Sequence, residues 1–271
     1  KIVYTAMHGV GTETLARVFK TAGFPDLILV AEQANPDPDF PTVAFPNPEE
    51  PGAIDLALAT ARAHNADLVI ANDPDADRCA AAIKDRSGDW RMLRGDELGV
   101  IFGEWIARTS PHGTFGNSIV SSSILRKISA HYGIDFKEVL TGFKWLAKNE
   151  DLAFGYEEAI GYAVDSETVN DKDGISAAIL IAELVDELKD KGKSLDQYLG
   201  QDHLVGQNGA LRKSLEVGRL PSIVLWGPPG VGKTTLALLL AKELDAPLYQ
   251  LSAVNAGVKD VREVLATAEK K

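Results

Sequence analysis

Short apolar runs alternate with stretches of helical spacing along the whole chain, and this rhythm restricts it to an α/β architecture. Residues 1–5 read as a strand, and residues 12–22 as a helix that stops at Gly23. Residues 27–31 are again strand-like, 54–64 helical, and 67–71 form a short buried strand. Residues 35–51 are rich in proline, which fixes φ and removes a donor, so they must be an extended loop. Such βαβ units imply mixed, mostly parallel sheets with right-handed crossovers. A second unit begins near residue 93, with helices predicted at 95–108, 123–132, 143–150 and 173–191. Its strands are expected at 118–121, 138–140 and 154–156, the last opening a turn at 157–161. A third unit begins between residues 193 and 200, with a strand at 222–226, a loop at 227–232 and a helix at 233–244.

Charge follows the same division. Residues 1–200 hold 19 basic and 32 acidic side chains, a net of −13, whereas residues 201–271 carry a net of +2. An acidic body repels a nucleic-acid backbone, so nucleic acid is not an expected partner. The single cysteine, Cys79, excludes a disulfide framework and fits a reducing cytoplasm. No apolar stretch is long enough for a membrane helix, and no charged segment followed by an apolar one marks a secretory signal. The chain opens on a strand without an initiator methionine, so sequence upstream of Lys1 is expected.

The densest chemistry lies in Asn72-Asp73-Pro74-Asp75-Ala76-Asp77-Arg78, directly after the strand at 67–71. Carboxylates at i, i+2 and i+4 repel one another unless a cation joins them. Asp73, Asp75 and Asp77 supply three hard oxygens of the kind Mg2+ takes, with water or phosphate completing the octahedron. Arg78 stands beside them and can grip a phosphate with two parallel hydrogen bonds. The competing reading is an acidic surface turn, since Asp-Pro and Asp-Ala-Asp favour turns. Position at the carboxyl end of a parallel strand, where α/β proteins place ligands, favours the metal.

Residues 1–199 resemble the α-D-phosphohexomutase superfamily, closest to its phosphoglucomutase/phosphopentomutase branch. The resemblance is carried by KIVYTAMHGVGTE (1–13), VAEQANPDPDFPTVAFPNPEEPGA (30–53), NDPDADR (72–78), RMLRGDELGV (91–100), TGFKWLA (141–147), GYEEAIGY (155–162) and VNDKDGISAA (169–178). Of the family's four domains it covers the second (1–92, metal loop) and the third (93–199, sugar-recognition loop). The resemblance implies that Asp73, Asp75 and Asp77 bind Mg2+, that Arg78 lies near a phosphoserine, and that Lys144 contacts the phosphate of a hexose or pentose phosphate. It further implies that Glu157, Glu158 and the following turn read sugar hydroxyls. Ala159 falls where many glucose-specific relatives carry a serine, which removes one such contact. The implied activity is an isomerase that transfers a phosphoryl group between sugar positions through a phosphoserine. No serine loop of the family's Thr-Ala-Ser-His-Asn-Pro type is present; Met7 in Thr5-Ala6-Met7-His8 cannot carry a phosphoryl group, and His8 reads as a structural strand-end residue. The Arg-Pro-Ser-Gly-Thr phosphate clamp of the fourth domain is also absent, so the chain alone is expected to be inactive.

Gly227-Pro228-Pro229-Gly230-Val231-Gly232-Lys233-Thr234, followed by Thr235, fits a P-loop between a strand and a helix. In that motif backbone N–H groups wrap the β-phosphate, the lysine reaches the β and γ oxygens, and the threonine hydroxyl meets Mg2+. ATP is therefore the implied nucleotide. Residues 200–271 resemble the front of a replication-associated recombination AAA+ ATPase (Werner-helicase-interacting-protein-like), through GQDHLVG (200–206), LRKSLEVGRLPSIVLWGPPGVGKTTLA (211–237) and LSAVNAGVKDVREVL (251–265). No acidic Walker B strand follows, so binding without hydrolysis is expected. The stretch 193–200 suits either family, which points to two truncated neighbours joined in one chain. Three functions thus stand side by side: a phosphosugar mutase by descent, an ATP-binding protein of DNA replication and recombination, and a non-catalytic composite.

Overall fold

A computed structural model describes residues 1–85, 87–198 and residue 237. The P-loop residues 227–235 lie outside the described residues. Residues 1–198 fall in one compact unit built on two sheets. The first unit runs β1 (Ile2–Thr5), α1 (Gly11–Thr21), β2 (Ile28–Leu29), α2 (Asp55–His64), β3 (Leu68–Ala71), β4 (Ala80–Lys84) and β5 (Trp90–Met92). The second runs α3 (Gly95–Thr109), β6 (Thr114–Ser118), α4 (Ile124–Tyr132), β7 (Asp135–Val139), β8 (Leu152–Glu157), β9 (Gly161–Ala163), α5 (Gly174–Asp190) and α6 (Leu195–Tyr198).

The strand orders are β2-β1-β3-β4-β5 and β7-β6-β8-β9. In each, three parallel strands are followed by antiparallel pairing, of two strands in the first sheet and one in the second. The same plan is thus built twice, although the sequence carries no repeat. Parallel strands need crossovers, which α1 and α4 supply, and they are buried on both faces. Accordingly β3 and β6 are buried at every position.

Three differences from the sequence reading have local causes. The predicted helix at 143–150 is a single 3-10 turn, Phe143–Trp145, because Leu152 must already pair beside Thr114 in the second sheet. The strand expected at 118–121 lies earlier, at Thr114–Ser118, where Gly116 lets Leu146 and the Lys137 carbonyl approach. Finally, β5 and β9 are antiparallel additions that the reading did not anticipate.

One apolar core runs through both sheets, from Val3, Phe19 and Ile70 to Phe102, Phe154 and Tyr162. Helix α5 is central to it, packing against α1 and β3 on one side and β9 on the other. The Asp173 carboxylate caps it, accepting from the N–H groups of Ile175 and Ser176 at 3.0 and 3.2 Å. The next residue, Gly174, admits no side chain: a Cβ there would lie 2.2 Å from the Arg78 carbonyl oxygen and 2.7 Å from that of Ala76. Replacing Asp173 by Ala is expected to reduce the unfolding free energy by about 1 kcal/mol through loss of the cap. Gly174→Ala should cost more, about 1–3 kcal/mol from overpacking against backbone. Urea denaturation monitored by circular dichroism checks the order of the two midpoints.

Candidate functional site

The loop from Asn72 to Arg78 leaves β3 at its carboxyl end and is held from three sides. The Asn72 N–H donates to the Thr5 carbonyl, and its side-chain amide donates to the Arg78 carbonyl, closing the loop across its base. The Val10 N–H donates to the Pro74 carbonyl, and the Gly174 N–H to the Ala76 carbonyl. Ala76 takes a left-handed conformation (φ 61°) while its N–H donates to the Asp73 carbonyl. This tight path brings the three aspartates together, with Asp75 exposed: oxygens of Asp73, Asp75 and Asp77 all lie within 4.8 Å of one another.

The loop concentrates negative charge. Burial pushes the Asp73 carboxyl up to about 6, with the charges of Asp77 and Asp75 adding to the rise; the Arg78 N–H, donating to Oδ1 at 3.0 Å, opposes it. The Arg78 guanidinium faces its own loop, with Nε 3.6 Å from Asp73 and 3.9 Å from Asp77. Oδ2 of Asp77 pairs with the Lys172 ammonium, whereas its Oδ1 is buried with no hydrogen-bond partner. A buried carboxylate oxygen with no hydrogen-bond partner, in a loop where three carboxylates converge, fits a metal ligand, and oxygen donors alone fit Mg2+.

The turn after β8 lies directly beside this loop. The Cys79 N–H donates to the Ile160 carbonyl at 3.0 Å, and Arg78 forms an antiparallel bridge with Gly161. Glu157 Oε1 accepts the Gly142 N–H at 2.6 Å, which ties it to the turn carrying Lys144. Lys144 is exposed, with its ammonium 5.6 Å from the centroid of the Trp145 ring. The sequence-predicted residues Asp73, Asp75, Asp77 and Arg78 therefore adjoin the 157–161 turn, and Lys144 joins through Gly142.

Glu158 is held differently. Its Oε2 accepts from both the Ser118 and Ser121 hydroxyls at 2.9 Å, and its N–H donates to Ser121 at 3.1 Å. One of its two oxygens is thus engaged inside the protein. Gly95, at the start of α3, packs so closely that a Cβ would sit 1.8 Å from the Glu158 carbonyl oxygen. The neighbouring Asp96 accepts from the Ser122 N–H and the Tyr156 hydroxyl at 2.6 and 2.9 Å. Sequence reasoning passed over Ser118, Ser121 and Lys172. The two serines carry no charge signal. Lys172 stood within the quoted stretch 169–178, but nothing in its spacing linked it to Asp77.

Comparison with known proteins identifies the domains that carry this loop and turn. Residues 1–88 match the model of phosphoglucomutase/phosphomannomutase alpha/beta/alpha domain II, and residues 94–203 that of domain III. Residues 1–203 belong to the phosphoglucomutase/phosphomannomutase family. A Haemophilus influenzae protein named probable phosphomannomutase is 46% identical over 236 residues, which is 84% of this chain and 49% of that protein. Human phosphopentomutase is 43% identical over 218 residues, 73% of this chain and 36% of the enzyme. The fold is that of parafusin, a Paramecium phosphoglucomutase crystallised in an open form: TM-score 0.59 at 23% identity, covering 76% of this chain and 37% of that one. The chain spans half or less of the length of these mutase relatives. Residues 223–271 match the model of the ATPase family associated with various cellular activities. No helix among the described residues is long and apolar enough to cross a membrane.

The raised Asp73 value sets a pH dependence. The folded chain binds this proton more tightly than the unfolded one, so the associated stability is present at low pH and lost as pH rises from about 4 to about 6. A cation on the loop removes the cost of ionising Asp73. Mg2+ at saturation should therefore raise the melting temperature by several degrees at pH 7.5, and by much less at pH 5. Differential scanning fluorimetry in Mg2+ and in EDTA across this range tests the expectation.

Proposed function

We propose that residues 1–199 are the metal-holding and sugar-recognising middle of a phosphosugar mutase acting on hexose or pentose phosphates. The observation that carries this reading is the hydrogen-bonded contact between the acidic loop and the 157–161 turn, which sets a cation beside a sugar-reading carboxylate. Asp73, Asp75 and Asp77 hold Mg2+, which when bound offsets charge on the transferring phosphoryl group. Arg78 faces the same group as a fixed cation. Glu157, oriented by the Gly142 N–H, accepts sugar hydroxyls. Glu158, braced by two serines, keeps that turn in place and presents its remaining oxygen. Lys144 meets the phosphate at the far end of the substrate, and Ala159 leaves that side of the turn without a hydroxyl.

Calorimetric titration of the purified chain with Mg2+ and then glucose 1-phosphate tests the reading. Asp75→Asn is expected to abolish the Mg2+ heat. Glu157→Gln should weaken phosphosugar binding about tenfold, the effect of losing one charge-assisted hydrogen bond. Unchanged Mg2+ binding in the first variant, or unchanged sugar binding in the second, would contradict it.

A second reading concerns residues 200–271 and is favoured by the ATPase-family match over 223–271 and the P-loop sequence. In it Gly227, Pro228, Pro229, Gly230, Val231 and Gly232 wrap the phosphates of ATP while Lys233, Thr234 and Thr235 hold the terminal phosphates and Mg2+, as in ATPases of replication and recombination. Binding of a fluorescent ATP analogue that Lys233→Ala abolishes would support it; equal binding by the variant would remove it.

A further inference from the structure

The segment between β9 and α5 carries Lys172, and its ammonium reaches Asp77 Oδ2 across from the second sheet. This ion pair is largely shielded, with 21% of the Lys172 side chain and 31% of the Asp77 side chain exposed. We propose that Lys172 is a tethered substitute for the cation: it neutralises Asp77 through Oδ2 in the metal-free chain and so weakens the hold of the remaining oxygen, Oδ1, on Mg2+. The inference rests on the metal-site reading above.

Three observations lead to it. First, the acidic loop brings three carboxylates within 4.8 Å, and Lys172 meets one of their oxygens directly while Arg78 stays 3.6–3.9 Å away. Second, the Lys172 stem has a track built for it. A Cβ on Gly161 would come within 3.0 Å of Lys172 Cδ and 3.7 Å of its Cβ, so the lysine stem lies directly against this glycine. Third, Asp77 is half satisfied, since its Oδ1 is buried without a hydrogen-bond partner. A carboxylate placed only to pair with lysine would have both oxygens solvated or bonded. An ammonium and a divalent cation repel strongly at the separation of one carboxylate, so the two cannot both contact Asp77 at full strength.

The physical consequence is a trade. Lys172 stabilises the empty loop and lowers its affinity for metal.

Lys172→Gln is expected to raise Mg2+ affinity about tenfold in calorimetry, as removal of one nearby positive charge does at a partly exposed site. The same variant should melt several degrees lower than the native chain in EDTA and equally in saturating Mg2+. Lys172→Arg, which keeps the charge, should bind Mg2+ with near-native affinity. In the reductively 13C-methylated native chain, the Lys172 resonance, assigned by its absence from the arginine variant, should shift along the Mg2+ titration. Equal Mg2+ affinity in native chain and Lys172→Gln, or a Lys172 resonance that ignores Mg2+, overturns the proposal while leaving the metal site standing. Absence of Mg2+ binding to both chains overturns the site and the proposal together.

Discussion

The mutual repulsion of Asp73, Asp75 and Asp77 is the constraint around which this half of the fold is arranged. Carboxylates within 4.8 Å of one another oppose folding by about 1–3 kcal/mol per pair at the effective dielectric of a protein surface. The chain answers with positive charge and with donors. Arg78 supplies both a guanidinium and an N–H, Lys172 reaches in from the neighbouring sheet, and Asp73 holds its proton up to about 6. None of these fully satisfies Asp77, whose Oδ1 remains buried and unbonded. A divalent cation would satisfy all three carboxylates at once, which makes the loop intelligible as a site rather than an acidic turn.

Holding such a loop requires close backbone approach, and this explains the glycines around it. Gly174 lets the start of α5 touch the Arg78 and Ala76 carbonyls, and Gly95 lets α3 touch the carbonyl of Glu158. Both helices belong to the second unit, yet one braces the metal loop of the first. The bridge from Arg78 to Gly161 and the shared apolar core join the acidic loop and the 157–161 turn in one packed unit.

Elements with strong local signals were legible in the sequence. The strand at 1–5 appears as β1, the apolar run before the acidic loop as β3, and the periodic stretch after Asp173 as α5. What was hidden lacked such signals. Residues 146–150 have helical composition, but the demand of β8 to start at Leu152 overrides it. At the site, the three aspartates announced themselves by charge and spacing, whereas Glu157 was implied by the family resemblance alone. The serines that brace Glu158 are ordinary hydroxyls 37 and 40 residues away in sequence, and the Lys172 contact with Asp77 spans 95 residues. Long-range polar contacts of this kind leave no periodic trace.

Diffraction from crystals of the full chain soaked in Mn2+, collected at the manganese absorption edge, tests the central claim most directly. The account predicts one anomalous peak enclosed by Asp73, Asp75 and Asp77, with metal–oxygen distances of about 2.1–2.3 Å. A map with no peak there at saturating manganese would contradict it.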